Sequence, residues 1–101
     1  MKMLRVEMFI PLYPAAPRTT LLRGIVDEAG GVTVTEGTGH WVDGEDDLIV
    51  ERVQTVLFFV EDNDDNRLWV EELAIEYKED AAQDAVLYVL NGTDFHMIEE
   101  N

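Results

Sequence analysis

The sequence predicts an α+β fold in which two helices cover one face of an antiparallel sheet, in the element order β-α-β-β-α-β. Three observations carry that prediction. Apolar residues alternate in strand fashion near residues 3–10, 48–60 and 85–90. They recur at helical spacing over 21–29 and 69–81. Glycine pairs and Asp-Gly or Asn-Gly steps separate these runs and supply the turns.

In the first strand Leu4, Val6, Met8 and Ile10 face one side, and Arg5, Glu7 and Phe9 the other, as in a half-buried strand. Pro11, Pro14 and Pro17 then predict a stiff loop, because proline fixes φ and donates no backbone hydrogen bond. Thr19 or Thr20 is the expected cap of the first helix, whose apolar stripe is Leu21, Leu22, Ile25, Val26 and Ala29. Gly30-Gly31 ends it, since glycine takes the left-handed cap conformation readily. The second strand starts at Val32, with Val32 and Val34 opposite Thr33 and Thr35, and Gly37 and Gly39 loosen its end. Asp43 to Asp47 reads as an acidic turn before a third strand from Leu48 to Val60. Residues 61–66 form a polar loop whose carboxylates suit the positive end of the second helix. That helix turns Trp69, Val70, Leu73, Ala74, Tyr77 and Ala81 inward, and Glu71, Glu72, Glu76 and Glu79 outward. Ala85 to Leu90 is strand four, and Asn91-Gly92 signals a two-residue hairpin into a short fifth strand, Thr93 to Ile98.

Right-handed crossovers place both helices on one face of the sheet, the ferredoxin-like arrangement, with strands one and three central and a short C-terminal hairpin. One such domain accounts for residues 1–101. Strand three is apolar on both faces: Thr55, Leu57 and Phe59 on one, Val56, Phe58 and Val60 on the other. The helices cover only one of these. The second, shared with Phe9, is expected to meet another copy of the chain, giving a homodimer or higher oligomer through the open sheet face.

Charge divides the chain unevenly. Residues 1–35 hold four Lys/Arg against three Asp/Glu, whereas residues 36–101 hold three against nineteen, which accounts for the net charge of −15. Such a surface repels nucleic acid and anionic membranes and attracts basic proteins. Cysteine and serine are both absent. Their absence excludes disulfides, thiolate metal sites and serine or cysteine nucleophiles. No apolar run approaches the ~18 residues of a membrane span. Arg5 and Glu7 interrupt the N-terminal apolar stretch, so it reads as a strand and not as a leader, and the cytoplasm is the expected location.

Several short motifs point to a known group. Phe9-Ile10-Pro11-Leu12, Gly30-Gly31-Val32-Thr33, Gly39-x-Trp41 and Glu51 resemble a family of small uncharacterised proteins of prokaryotes and their viruses. The long connector between strands two and three is similar to that of the PII-like ferredoxin-like proteins. This resemblance implies the same fold and an oligomeric protein. The chain lacks the basic residues with which PII-like proteins hold nucleotide phosphates.

The candidate site lies in that connector. Glu36, His40, Trp41 and Glu51 would form a pocket in which the indole stacks, the imidazole donates or accepts, and the carboxylates accept. Asp43, Asp46 and Asp47 complete a surface for a ligand or partner. The competing reading is structural: Trp41 packs on its neighbouring strand and His40 is solvated. No metal is implied, since Glu36, His40 and Asp43 match no ligand spacing, and Asp62-x-Asp64-x-Asn66 lacks the sixth-position glycine of a calcium loop. No cofactor is implied either. The expected function is a non-catalytic, oligomeric binding protein that recognises a partner protein or small ligand through the connector. The alternative is a small acidic, virus-encoded inhibitor that mimics nucleic acid and blocks a basic host protein. On either reading the chain is expected not to be an enzyme.

Overall fold

The structure, a computed structural model, describes residues 1–99. Its elements are β1 (Met3–Pro11), α1 (Ala15–Ala29), β2 (Thr33–Val42), β3 (Leu48–Glu61), α2 (Asp64–Asp80), β4 (Ala85–Leu90) and β5 (Asp94–Glu99). They form a five-stranded antiparallel sheet in the order β2-β3-β1-β4-β5. This is the α+β, ferredoxin-like architecture, with β5 added beyond β4.

The alternation in β1 sorts the sheet into two faces. Leu4, Val6, Met8 and Ile10 are buried beneath the helices, together with Val56, Phe58 and Val60 of β3 and Val86, Tyr88 and Leu90 of β4. Leu21 and Ile25 of α1 and Val70, Ala74 and Tyr77 of α2 join the same apolar cluster. Both helices therefore lie on one face. Phe58 is the largest fully buried side chain, and Trp69 meets it edge-on with ring centroids 5.8 Å apart.

Three local predictions change in the structure. First, α1 begins four residues before Thr19, with Pro14 in the capping position and Pro17 inside the first turn. The helix tolerates proline there because the first-turn N–H groups have no intrahelical partner anyway. Thr19 and Thr20 donate their hydroxyls back to the carbonyls of Ala15 and Ala16 instead of capping. Its other end follows expectation: Gly30 sits at φ 84°, and its N–H donates to the Val26 carbonyl. Second, Asn63 caps α2 by accepting from the Asn66 N–H, so Asp64 and Asp65 belong to the first turn and not to a loop. Third, the β4–β5 turn has three residues. Asn91 (φ 54°) and Gly92 (φ 76°) take the left-handed conformations, and Leu90 pairs with Asp94. Asn91 also extends the β1 ladder, its N–H donating to the Arg5 carbonyl and its Oδ1 accepting from the Arg5 N–H.

The largest departure concerns the connector. Gly37 and Gly39 do not loosen β2, which pairs with β3 without interruption from Thr33↔Leu57 to Val42↔Leu48. β1 stops at Pro11↔Val53. Residues 38–42 and 48–52 therefore continue as a two-stranded ribbon, closed by the turn at 43–47. This arm makes the molecule elongated, 46 × 25 × 25 Å.

The two faces of β3 give a direct test. Phe58→Ala should lose about 3–5 kcal/mol in urea denaturation, as buried aromatic truncations do. Phe59→Ala, on the open face, should change monomer stability by less than about 1 kcal/mol. Equal losses at both positions would contradict the assignment of faces.

Candidate functional site

The arm sorts the candidate residues by strand parity. Residues opposite one another in the ladder share a face. Gly37, Gly39 and Trp41 therefore lie with Ile49, Glu51 and Val53 on the open face of the sheet. Glu36, Thr38, His40 and Val42 lie with Leu48, Val50 and Arg52 on the helix side. His40 and Trp41 are thus on opposite faces, and the structure divides the expected pocket into two groups.

On the open face the indole of Trp41 folds back over Gly39. A Cβ placed on Gly39 would come within 3.4 Å of the Trp41 ring and 3.2 Å of Val53 Cγ1. Glycine is the residue that lets the ring approach the backbone so closely. Trp41 remains 42% exposed, so it presents a flat, accessible aromatic surface. Glu51 is directly across the ladder from Gly39, on the same face as that ring. Trp41 and Glu51 are therefore neighbours on one face.

On the helix side Arg52 donates to Glu36 at 2.7 Å, an exposed pair that ties the two strands of the arm together. His40 is exposed opposite Val50. At the tip, Asp43 is occupied structurally. Its Oδ1 accepts from the N–H groups of Glu45 (2.8 Å) and Asp47 (3.0 Å), and Asp46 sits at φ 64°. Asp46 donates its N–H to the Asp43 carbonyl (3.2 Å), and the Asp47 carbonyl accepts from the Asp43 N–H (3.0 Å). Among the described residues no group of three or more His, Cys, Asp or Glu is gathered where a metal ion could sit. Asp62 forks onto Arg67 (2.7 and 3.1 Å), and this hydrogen bonding holds its carboxyl below the usual carboxylate range.

The root of the arm carries features that sequence reasoning passed over. The Leu12 N–H donates to the Arg52 carbonyl, and Arg18 donates to the Leu12 carbonyl, so the start of α1 is tied to the arm. Gln54 is buried there with its Oε1 unpartnered. The Tyr77 hydroxyl is likewise buried and unpartnered. Burial pushes its pKa up to about 12, with Arg18 opposing and Glu51 adding to the shift. At the far edge His96, half-buried, stacks on Tyr88 with centroids 4.9 Å apart, and its Nε2 lies 3.1 Å from Asp94 Oδ2. Periodicity places Tyr77 at a core position, as the structure has it, but nothing in the sequence marks its hydroxyl as unpaired.

The model of a family described as "Protein of unknown function (DUF3574)" matches residues 27–96, from the end of α1 into β5. The chain belongs to that family. Its fold is shared more widely. A phage SAM lyase in complex with S-methyl-5'-thioadenosine superposes with a TM-score of 0.79 at 16% identity, covering 97% of this chain and 90% of that one. A Bacillus cereus protein related to NIF3 gives 0.61 at 14% identity, over 87% of this chain and 24% of that one. CutA of Pyrococcus horikoshii gives 0.54 at 16% identity, over 97% and 84%. No curated protein matches the chain. At these identities the likeness is one of fold. It nevertheless overturns the expectation that the chain is not an enzyme, because an enzyme, the phage SAM lyase, is built on this architecture over nearly the whole chain. Among the described residues no helix is long and apolar enough to cross a membrane.

Gly39 tests the open-face geometry. Gly39→Ala should push the indole off the ribbon and shift tryptophan emission to the red, while Gly37→Ala, which meets nothing within 4 Å, should leave the spectrum unchanged. Identical spectra for both variants would refute the stacking of Trp41 over Gly39.

Proposed function

We propose that the chain assembles as a homo-oligomer whose arm holds a small ligand of the adenosyl sulfonium or thioether class, and that it acts as a carbon–sulfur lyase. The observation that carries this reading is the pairing of the exposed Trp41 ring with Glu51 on one face of the arm. A purine stacks on an indole, an interaction of about 1–3 kcal/mol where bases stack on aromatic side chains. A sulfonium is drawn both to the ring face and to the carboxylate. The strongly acidic chain favours such a cation at long range. The lyase fold, bound in one structure to S-methyl-5'-thioadenosine, supports the same ligand class.

The chemistry also suits the chain's composition. A sulfonium departs as a neutral thioether, carrying the electron pair of the broken C–S bond, while the carboxylate of the substrate's own aminoacyl chain forms the new C–O bond at the carbon it leaves and closes a lactone, so the leaving group needs no acid and the reaction needs no serine or cysteine nucleophile. Carboxylates and positioning suffice.

Assembly is supported by what the isolated chain leaves uncovered. Phe9, Phe59, Phe95 and Met97 are exposed on the open face. The arm adds Val42, Leu48 and Val50 on its other side. A two-stranded ribbon is marginal alone, and apolar residues on both of its faces favour contact with a second copy. The acidic-inhibitor alternative requires the carboxylates of the 43–47 turn, the 61–65 segment and α2 to share one face. β3 holds the first two at its opposite ends, about 43 Å apart at 3.3 Å per residue, so the fold gives that alternative no support.

Two experiments test the reading. S-Methyl-5'-thioadenosine should quench tryptophan emission in the wild-type protein but not in Trp41→Ala, and Glu51→Gln should weaken S-adenosylmethionine at least tenfold more than the thioether. Incubation with S-adenosylmethionine should release the thioether, read by mass spectrometry. Absence of quenching by both compounds would defeat the proposal. For the assembly, Phe59→Asp should give monomers in light scattering with unchanged far-UV circular dichroism; an unchanged mass would exclude the open face as the interface.

A further inference from the structure

Charge is scarce on the open face of the sheet, and β1 supplies an ion pair there. Arg5, Glu7 and Phe9 lie on that face, level with Phe59, Leu57 and Thr55 of β3. Arg5 donates to the Glu7 carboxylate, in a surface that also exposes Phe9, Phe59 and Phe95. Covering an ion pair carries a desolvation cost that neutral residues at both positions would avoid. Among the described residues Arg5 is the one basic side chain that a strand places on this face. Arg52, the other strand arginine, lies on the helix side and pairs with Glu36. Arg5 cannot serve the arm of its own chain: it pairs with Phe59, about 26 Å along β3 from Glu51 at 3.3 Å per residue. A second copy removes that distance. Glu51 and Phe59 lie equally far from Thr55, on either side of it, and Thr55 pairs with Phe9 in the middle of the face. An isologous contact exchanges positions i and j, so a two-fold axis over Thr55 and Phe9 brings Arg5 and Glu7 of each copy over the arm of the other. Stacked sheets stand about 10 Å apart. Gly37 keeps part of that gap open on the arm, since an added Cβ there would meet nothing within 4 Å.

We infer that Arg5 and Glu7 of a second copy complete the site on the arm and hold the amino-acid end of the sulfonium substrate. This rests on the sulfonium reading above and supplies what that reading leaves open. Trp41 and Glu51 account for the purine and the sulfonium, and neither can receive a carboxylate. An amino-acid head carries a carboxylate and an ammonium on one carbon. Arg5 and Glu7 present a guanidinium and a carboxylate side by side, the complementary arrangement. A guanidinium holding one oxygen of the substrate carboxylate leaves the other free to attack the carbon from which the thioether departs. S-Methyl-5'-thioadenosine lacks the amino-acid end, so the second copy selects the sulfonium over the thioether.

The test is calorimetric titration of the full chain with S-adenosylmethionine and with S-methyl-5'-thioadenosine. Arg5→Gln should weaken the sulfonium roughly tenfold or more and leave the thioether within about twofold of wild type, and Glu7→Gln should show the same selectivity to a smaller degree. Arg5→Gln mixed with Trp41→Ala, after subunit exchange, should regain tight sulfonium binding that neither variant has alone, because a mixed oligomer holds one site with both groups intact. Unchanged sulfonium affinity in Arg5→Gln, with both ligands bound by the wild type, would overturn this inference and leave the sulfonium reading standing. Equal weakening of both ligands, or no regain on mixing, would do the same. Binding of neither ligand by the wild type would overturn both.

Discussion

The long third strand is the constraint on which the rest of this molecule depends. β3 pairs with β1 along nine positions and with β2 along ten, and the two partners overlap only in part. Where β1 runs beside it, the helix-side residues Val56, Phe58 and Val60 have a core to fill. Past Pro11, β1 has ended and β3 continues with β2 alone. From that point the ladder still satisfies its hydrogen bonds, but Trp41, Val42, Leu48 and Val50 stay exposed. Exposed apolar residues on both faces of the arm follow from that mismatch in strand length and not from a failure of patterning.

The same mismatch explains why the candidate chemistry gathers at one end. A sheet core excludes ligands because its side chains interdigitate at crystal-like density. At the root and along the arm that density is absent, so an indole can lie flat over a glycine and a carboxylate can sit beside it. Tyr77 belongs to this region too. Its hydroxyl responds to Arg18 at the start of α1 and to Glu51 on the arm.

Much of the fold was legible because period-two and period-3.6 patterns report burial directly. β1, the interior half of β3 and the stripe of α2 are cases where one face is covered and the other is not. Proline and glycine were read less well, since their meaning depends on position: Pro17 ends a helix in its middle but suits its first turn, and Gly39 reads as a strand breaker until the ring above it is seen. The site was harder still. Glu36, His40, Trp41 and Glu51 are close in sequence and across the ladder, yet strand parity sends His40 to the face opposite Trp41. Parity cannot be applied to a segment taken for a loop. The unpartnered hydroxyl of Tyr77 has no sequence signal at all, because hydrogen-bond satisfaction is a property of the packed neighbourhood.

The mistaken exclusion of catalysis is instructive on physical grounds. Missing serine and cysteine remove covalent catalysis by those groups, but they leave untouched every reaction whose leaving group is already activated. For a sulfonium the positive charge on sulfur does for the leaving group what a general acid would otherwise do, and the substrate's own carboxylate can serve as the nucleophile. What remains for a protein to do is to hold the substrate, exclude water and stabilise the cation differently along the reaction path. A small acidic chain can do the first with one aromatic ring and one carboxylate on a strand. It can do the second only if something covers the arm. That requirement ties the proposed chemistry to the proposed assembly: in the isolated chain Trp41 faces water, and a second copy seated on the open face is the simplest means of closing over it.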